Sequence, residues 1–247
     1  MRNKFYVVSW SNFKNFLRCK RLYFFSFHRV KGIQEKTGIL GSCLHKRFED
    51  PLFNWKVEFL KEACLSEEEG NTFIKKGEKV LRNFNFYKYK ETEDIEVKIK
   101  KFSTTLFLDG IIDRVLRDRV IDFKTGLSQW KSPYQLAFYA NLINFVKEKY
   151  SFYFLYWRRV KTYTKQEIQS IFLKMLRNLE ELDEFNLQNS TLPSLETTEK
   201  SNCEYCYYRD VCKFNFTKDL VQKILNNNVE LLNKKLEFNR KKEISTI

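Results

Sequence analysis

Glycine and proline are scarce in this chain, with 7 and 3 residues among 247. That excludes a collagen-like array and long flexible linkers, both of which depend on those residues. No self-similarity exists at periods of roughly 20–50 residues, which excludes solenoids and propellers. No apolar run approaches the ~20 residues that cross a bilayer, so no membrane association is expected. The stretch from Met1 to Ser9 lacks a long apolar segment and a small-residue cleavage site. No signal peptide is therefore read, and a cytoplasmic location is expected. Histidine is nearly absent too: any imidazole chemistry has only His28 and His45 to draw on.

Acidic residues are outnumbered. The 31 Asp and Glu face 45 Lys and Arg, for a formal charge of +14. Such an excess concentrates polyanions, of which nucleic acid is the commonest, although lysine also serves simply to solvate a surface. Apolar and aromatic side chains are plentiful, at 43% and 17%, enough to bury a substantial core and to exclude wholesale disorder. Six cysteines in a chain expected to be cytoplasmic point to thiolate ligands or inert thiols ahead of disulfides.

Apolar residues at helical spacing follow the capping residues Ser9 and Ser11 as far as Cys19. A second helix is expected after Gly38, carrying Leu44, His45 and Phe48, and a third over 67–89. Near residue 94 the period becomes two, with Ile95, Val97 and Ile99 alternating with Glu96, Lys98 and Lys100. Strands are expected over 104–116, broken by Gly110, and over 119–124. Ser132-Pro133 sets up a helix running toward Lys149. The apolar run 151–157 suits a strand buried on both faces. Residues 165–185 read as amphipathic helix, and a charged helix closes the chain. Strands with helices on both sides in sequence argue for an α/β core with helical wings.

Charged residues in the middle strands carry the chemistry. Asp122 and Lys124 lie two apart and therefore share one strand face, while Ile121 and Phe123 take the other. A charged pair in so apolar a strand costs desolvation free energy unless something compensates it. A divalent cation would do so, and the oxygens of Asp113 and Asp122 suit Mg²⁺ or Mn²⁺. An isolated Asp-x-Lys is common by chance and alone reads as a solvated edge strand. The order of the surrounding residues changes that reading.

Gly110-x-x-Asp113-Arg114, Asp122-x-Lys124-x-Gly126 and Gln135-x-x-x-Tyr139 follow one another. In this the chain resembles the PD-(D/E)XK nucleases of the RecB and AddB type, a group that includes the CRISPR-associated RecB-like exonucleases. The resemblance implies a restriction-endonuclease-like α/β fold: a central mixed sheet flanked by helices, plus a helical and iron–sulfur region joining the two ends of the chain. It implies a single nuclease domain over 1–247, with a helical part at 1–92, a nuclease core at 93–160 and a helical part at 161–247. Asp113 and Asp122 would be metal ligands with the Phe123 backbone carbonyl, and Lys124 would be catalytic. Gln135 and Tyr139, one turn apart on a helix face, would contact substrate or orient the active groups. The pattern Gly41-x-x-x-His45 matches the family's histidine ligand, and an imidazole in the set favours Mn²⁺ somewhat over Mg²⁺. The implied activity is metal-dependent hydrolysis of single-stranded DNA or DNA ends, in CRISPR spacer acquisition beside integrase proteins. A stand-alone or viral repair nuclease, and a non-catalytic nucleic-acid-binding module, are the competing readings.

Cys203, Cys206 and Cys212 form a C-x2-C-x5-C run, and Cys19 stands alone near the start. Thiolates bind zinc or iron, but a zinc ribbon would show two short-spaced pairs. The one-plus-three distribution resembles the iron–sulfur nucleases of the same group, which implies a [4Fe–4S] cluster on these four residues. Cys43 and Cys64 read as buried, inert thiols.

Overall fold

The computed structural model describes residues 5–28, 30, 35–87, 96–126, 132–188, 206, 208 and 212. They divide between two compact units. One comprises Met1–Ile33, Lys100–Asp109 and Leu176–Ile247; the other comprises Gln34–Ile99 and Gly110–Met175. The fold is mixed α/β, with mixed sheets and flanking helices, as the sequence leads one to expect.

In the first unit, strand β1 (Tyr6–Ser9) pairs in parallel with the start of β3 (Leu106–Ile112), Tyr6 opposite Leu106 and Ser9 opposite Asp109. Helix α1 (Trp10–Arg18) begins where Ser9 accepts a hydrogen bond from the Asn12 amide at 3.3 Å, an ordinary N-cap. Cys19, in extended conformation, separates α1 from α2 (Lys20–Phe27). Phe16 and Tyr23 meet edge-to-face at 5.7 Å, and Phe185 packs on both at 5.5 and 5.8 Å. The Tyr23 hydroxyl is buried yet satisfied, donating to Asn186 Oδ1 at 2.7 Å.

The second unit contains α3 (Lys36–Glu49), α4 (Trp55–Glu62), α5 (Glu67–Tyr87) and a four-stranded sheet in the order β4-β5-β6-β7. Its strands are β4 (Arg114–Val115), β5 (Arg119–Lys124), β6 (Lys149–Phe154) and β7 (Arg159–Thr164). Pairing is antiparallel, parallel, antiparallel. The parallel β5–β6 pair needs a crossover, which helix α6 (Tyr134–Leu142) supplies. Every residue of β6 from Tyr150 to Phe154 is buried, as the continuous apolar run demands. One face of β5 and β6 sends Ile121, Phe123 and Tyr153 into a core built with Leu40, Leu44, Trp55, Phe59 and Phe84. Helix α7 (Lys165–Gln188) follows β7.

Three expectations need correction. Strand β3 runs unbroken through Gly110 and ends at Ile112, so the interruption falls at Asp113. Helix α6 stops at Leu142, short of Lys149, because Asn144 and Phe145 take left-handed backbone conformations with φ of 57° and 55°. Cys64 is exposed, with φ of 52° just past the end of α4, where glycine is the usual occupant. The expected closing helix and Cys203 lie outside the described residues.

Candidate active site

Strand β5 puts charge where the core would otherwise continue. Asp122 is 2% exposed, and burial of a carboxylate to that degree demands compensation. The compensation is local. The Lys124 ammonium forms an ion pair with Asp122 Oδ2 and donates to Gln135 Oε1 at 2.8 Å. Gln135 Nε2 donates to Asp122 Oδ1 at 2.9 Å and to Tyr139 Oη at 3.0 Å. The amide thus presents its oxygen to the cation and its NH₂ to the anion, closing a ring of three side chains. Tyr139, one turn along α6, completes it. Burial raises the Tyr139 phenol well above its ordinary value, with Asp122 adding to the rise, so the phenol keeps its proton.

Asp113 enters from the break between β3 and β4. The β4–β5 ladder pairs Arg114 with Ile121 and Val115 with Val120, so the next step would face Asp113 toward Asp122. Instead of a backbone acceptor, the Asp113 carboxylate takes the Phe123 N–H, with Oδ2 at 2.7 Å. Its other oxygen lies 3.8 Å from His45 Nδ1. Burial raises the Asp113 carboxyl, and the Asp122 carboxylate raises it further. Burial is also the largest influence on His45, pushing the imidazole below its ordinary value, toward the neutral form. Burial is the cause common to both shifts, and it disfavours the charged form of each group; the Asp122 carboxylate adds to the rise at Asp113 and opposes the fall at His45.

Two glycines of the motif are explained by close approach. A Cβ at Gly41 would meet Thr125 Oγ1 at 3.1 Å, so α3 passes tight against the end of β5 and brings His45 with it. A Cβ at Gly110 would meet Leu142 Cδ1 at 2.7 Å and the Tyr139 ring at 3.2 Å, so this glycine leaves room for α6 to seat Tyr139. A pocket opens beside His45 and Asp113, lined also by Glu49, Arg114 and the rings of Phe48, Phe84 and Phe123. Glu49 went unnoticed in the sequence, though it follows His45 by one helical turn and so shares its face.

Among the described residues, no three His, Cys, Asp or Glu side chains converge closely enough to grip an ion as they stand. The donor set nevertheless fits a divalent cation in kind. It has an imidazole lowered by burial, a carboxyl raised by burial and by the neighbouring Asp122, and in Asp122 Oδ2 a buried oxygen that accepts no hydrogen bond of proper geometry despite its ion pair. Nitrogen and hard oxygen donors of this kind suit Mn²⁺ or Mg²⁺.

The cysteines occupy the other unit. Cys19, Cys206 and Cys212 are half-buried there, with no disulfide. Burial raises the Cys206 thiol, and Cys19 and Cys212 each raise it further, so both lie within electrostatic reach of Cys206. Arg21 Nη1 stands 3.8 Å from Cys212 Sγ, and Tyr208 packs on Phe25 at 5.4 Å. Cys43 is fully buried in the second unit, apart from these three.

A buried Asp-x-Lys thus lies on a mixed sheet, an aspartate sits at the preceding strand break, and α6 returns Gln135 to the Asp122 carboxylate with Tyr139 behind it. The chain belongs to the PD-(D/E)XK nuclease superfamily, whose family model matches residues 7–213. That membership makes it a nuclease by family, with nucleic acid as its substrate class and a restriction-endonuclease-like core. A solved structure described as "Crystal structure of SSO0001" is similar at 18% identity, covering 88% of this chain and 89% of that one, with a TM-score of 0.39. No curated protein matches the chain. No helix among the described residues is long and apolar enough to cross a membrane.

Proposed function

We propose that the chain is a metal-dependent deoxyribonuclease that hydrolyses single-stranded DNA or DNA ends. The observation that carries this reading is the Asp122–Lys124–Gln135 ring closed beside Asp113 and His45. Nothing in a merely structural role calls for two carboxyl groups crowded together at the end of a buried strand. His45, Asp113, Asp122 and the Phe123 carbonyl would hold one Mn²⁺ or Mg²⁺. When bound, the cation supplies Lewis-acid polarisation of the phosphate and a lower pKa for a ligated water.

The chain's own groups do the rest. The Phe123 amide fixes the Asp113 carboxylate in orientation. The half-buried imidazole, shifted toward its neutral form, offers a lone pair instead of a proton. Lys124 stabilises the charge that develops on the phosphate oxygens as water adds to phosphorus and the P–O bond to the leaving sugar breaks. Gln135 holds that ammonium and the Asp122 carboxylate at one spacing, and the protonated Tyr139 holds Gln135. Degradation of end-labelled single-stranded DNA with Mn²⁺, lost in chelator and lost in Asp122→Asn, tests the proposal. Undiminished cleavage in either condition rejects it.

The same reading assigns Cys19, Cys203, Cys206 and Cys212 to a [4Fe–4S] cluster. Its support is the nearness of Cys19 and Cys212 to Cys206 and the one-plus-three spacing. Iron and acid-labile sulfide in anaerobically purified protein are expected; zinc without iron would replace the cluster with a zinc site. The biological setting is CRISPR spacer acquisition, for which the resemblance to the CRISPR-associated RecB-like exonucleases is the support. Co-purification with an integrase is the expected result, and its absence would favour a stand-alone or viral repair enzyme.

A further inference from the structure

Strand β7 is one edge of the four-stranded sheet, and its sequence, RVKTYT, holds two cations and no acid. All its residues are exposed except the half-buried Tyr163. Register links this edge to the site. Lys124 pairs with Phe154, which pairs with Arg159; Asp122 pairs with Phe152, which pairs with Lys161. Residues opposite one another on neighbouring strands point to the same face, so Arg159 and Lys161 stand on the face that carries Lys124 and Asp122. Two ring contacts agree with this alternation. Lys124 Nζ lies 5.4 Å from the centre of the Phe152 ring, and Lys161 Nζ lies 5.2 Å from that of Tyr163, each a same-face neighbour.

Two strand spacings separate the rows, about 10 Å. A single DNA strand covers that distance within a few nucleotides. Phe152 and Phe154 are buried between the rows, so a nucleic-acid strand cannot lie flat across them. A route past the end of the sheet where β5 and β6 finish would lead it from Lys124 to Arg159, and then down the outer edge to Lys161. Trp157, 41% exposed, stands at the same end.

We propose that Arg159 and Lys161 form a phosphate track on the edge of the sheet, binding the backbone of the strand being cut within a few nucleotides of the scissile bond. The inference rests on reading the chain as a nuclease of DNA strands and adds where the strand runs. The occupant is chosen by charge complementarity. Two fixed cations at the pleat spacing, in register with a phosphodiester-cleaving row, suit a polyphosphate backbone, which neutralises side chains of this sign and releases counterions. Lysine and arginine on an edge strand also discourage sheet-to-sheet aggregation, and that role predicts no change in substrate handling.

The test uses the full-length protein and the double variant Arg159→Gln/Lys161→Gln, which keeps the edge polar. A control, Lys61→Gln/Lys75→Gln, removes the same charge from exposed positions of the same unit. With oligodeoxythymidylate as substrate, the edge variant is expected to raise KM roughly tenfold with kcat unchanged. The slope of log affinity against log salt should shrink by about 1.4, the value for two single-strand phosphate contacts. Cleavage of a dinucleotide, too short to reach β7, should not change. Equal losses in the control variant, or an unaltered KM and salt slope in the edge variant, would overturn the track. If the parent protein cuts no DNA, the nuclease reading fails by itself. Binding of the same oligonucleotide in chelator, followed by fluorescence anisotropy, then still decides the track: an affinity and salt slope shared by parent and edge variant refute it.

Discussion

The two units handle buried polar chemistry in opposite ways. In the unit built from Gln34–Ile99 and Gly110–Met175, every group of the site except His45 and Glu49 comes from one short stretch, Asp113 through Tyr139, and hydrogen bonds link Asp122, Lys124, Gln135 and Tyr139 directly. In the other unit the thiols come from position 19 and from positions 206 and 212, and no three of the described ones converge on a common point. A site assembled from adjacent strands and the crossover between them is positioned by ladder register, which folding must establish anyway. A site assembled from the two ends of a chain has no such ladder. If the proposed cluster draws those thiols together, its binding free energy would be folding free energy.

The sharpest way to break this contrast is at Asp122. Asp122→Asn keeps the shape and the Gln135 contact but removes the charge that Lys124 pairs with. Cleavage should fall by at least about 10³-fold while the thermal midpoint moves little, since the side chain's volume is retained. A large loss of stability with activity in proportion to the folded fraction would mean that the ring is architecture, not machinery. The next largest effect belongs to the other unit. Cys206→Ser should cost bound metal and a large part of that unit's stability, on the order of several kcal/mol, read as early proteolysis within 176–247. Iron content and protease resistance equal to those of the parent would show that the thiols are inert.

Legibility in the sequence follows the same divide. Strand β5, with charges at 122 and 124 and apolar residues at 121 and 123, was readable because a period of two states both the strand and its faces. Helix α6 was readable from Ser132-Pro133 at its start, yet its end was not, because the left-handed Asn144 and Phe145 carry no glycine to announce the turn. Gly110 was misread as a break. Its role is long-range, since the space it leaves is filled by Tyr139 and Leu142 of a helix some thirty positions later, and no local pattern reports that. Strand β1 and helix α2 escaped for a related reason: a four-residue strand and an eight-residue helix of aromatics have too few periods to display one. Glu49 was visible at one turn from His45, but only the pocket they share distinguishes it from a surface acid.

Gly110 supplies a prediction of intermediate size. In Gly110→Ala the new methyl would meet Leu142 Cδ1 at 2.7 Å and the Tyr139 ring at 3.2 Å. The leucine end can rotate away but the ring is packed, so overpacking should cost about 1–3 kcal/mol. A lower denaturant midpoint is expected, together with reduced turnover at temperatures where the variant is fully folded, because Tyr139 carries Gln135 with it. A midpoint unchanged from the parent would show that α6 yields freely and that the motif glycine serves some other end.

The smallest expected effect is also the most discriminating. Tyr139→Phe deletes only the oxygen that accepts from Gln135 Nε2 at 3.0 Å, leaving that N–H facing an apolar ring. The same amide still has Asp122 as acceptor and Lys124 as donor, so the ring of three should survive with looser orientation. A missing partner of this kind costs about 1–3 kcal/mol where water cannot replace it, and part of that should surface as a kcat lower by roughly tenfold with KM nearly unchanged. If instead KM rises while kcat holds, Tyr139 contacts the substrate directly and its hydrogen bond to Gln135 is incidental. The two outcomes separate orientation of the active groups from contact with the DNA, and they do so on a side chain whose removal leaves every charge of the site in place.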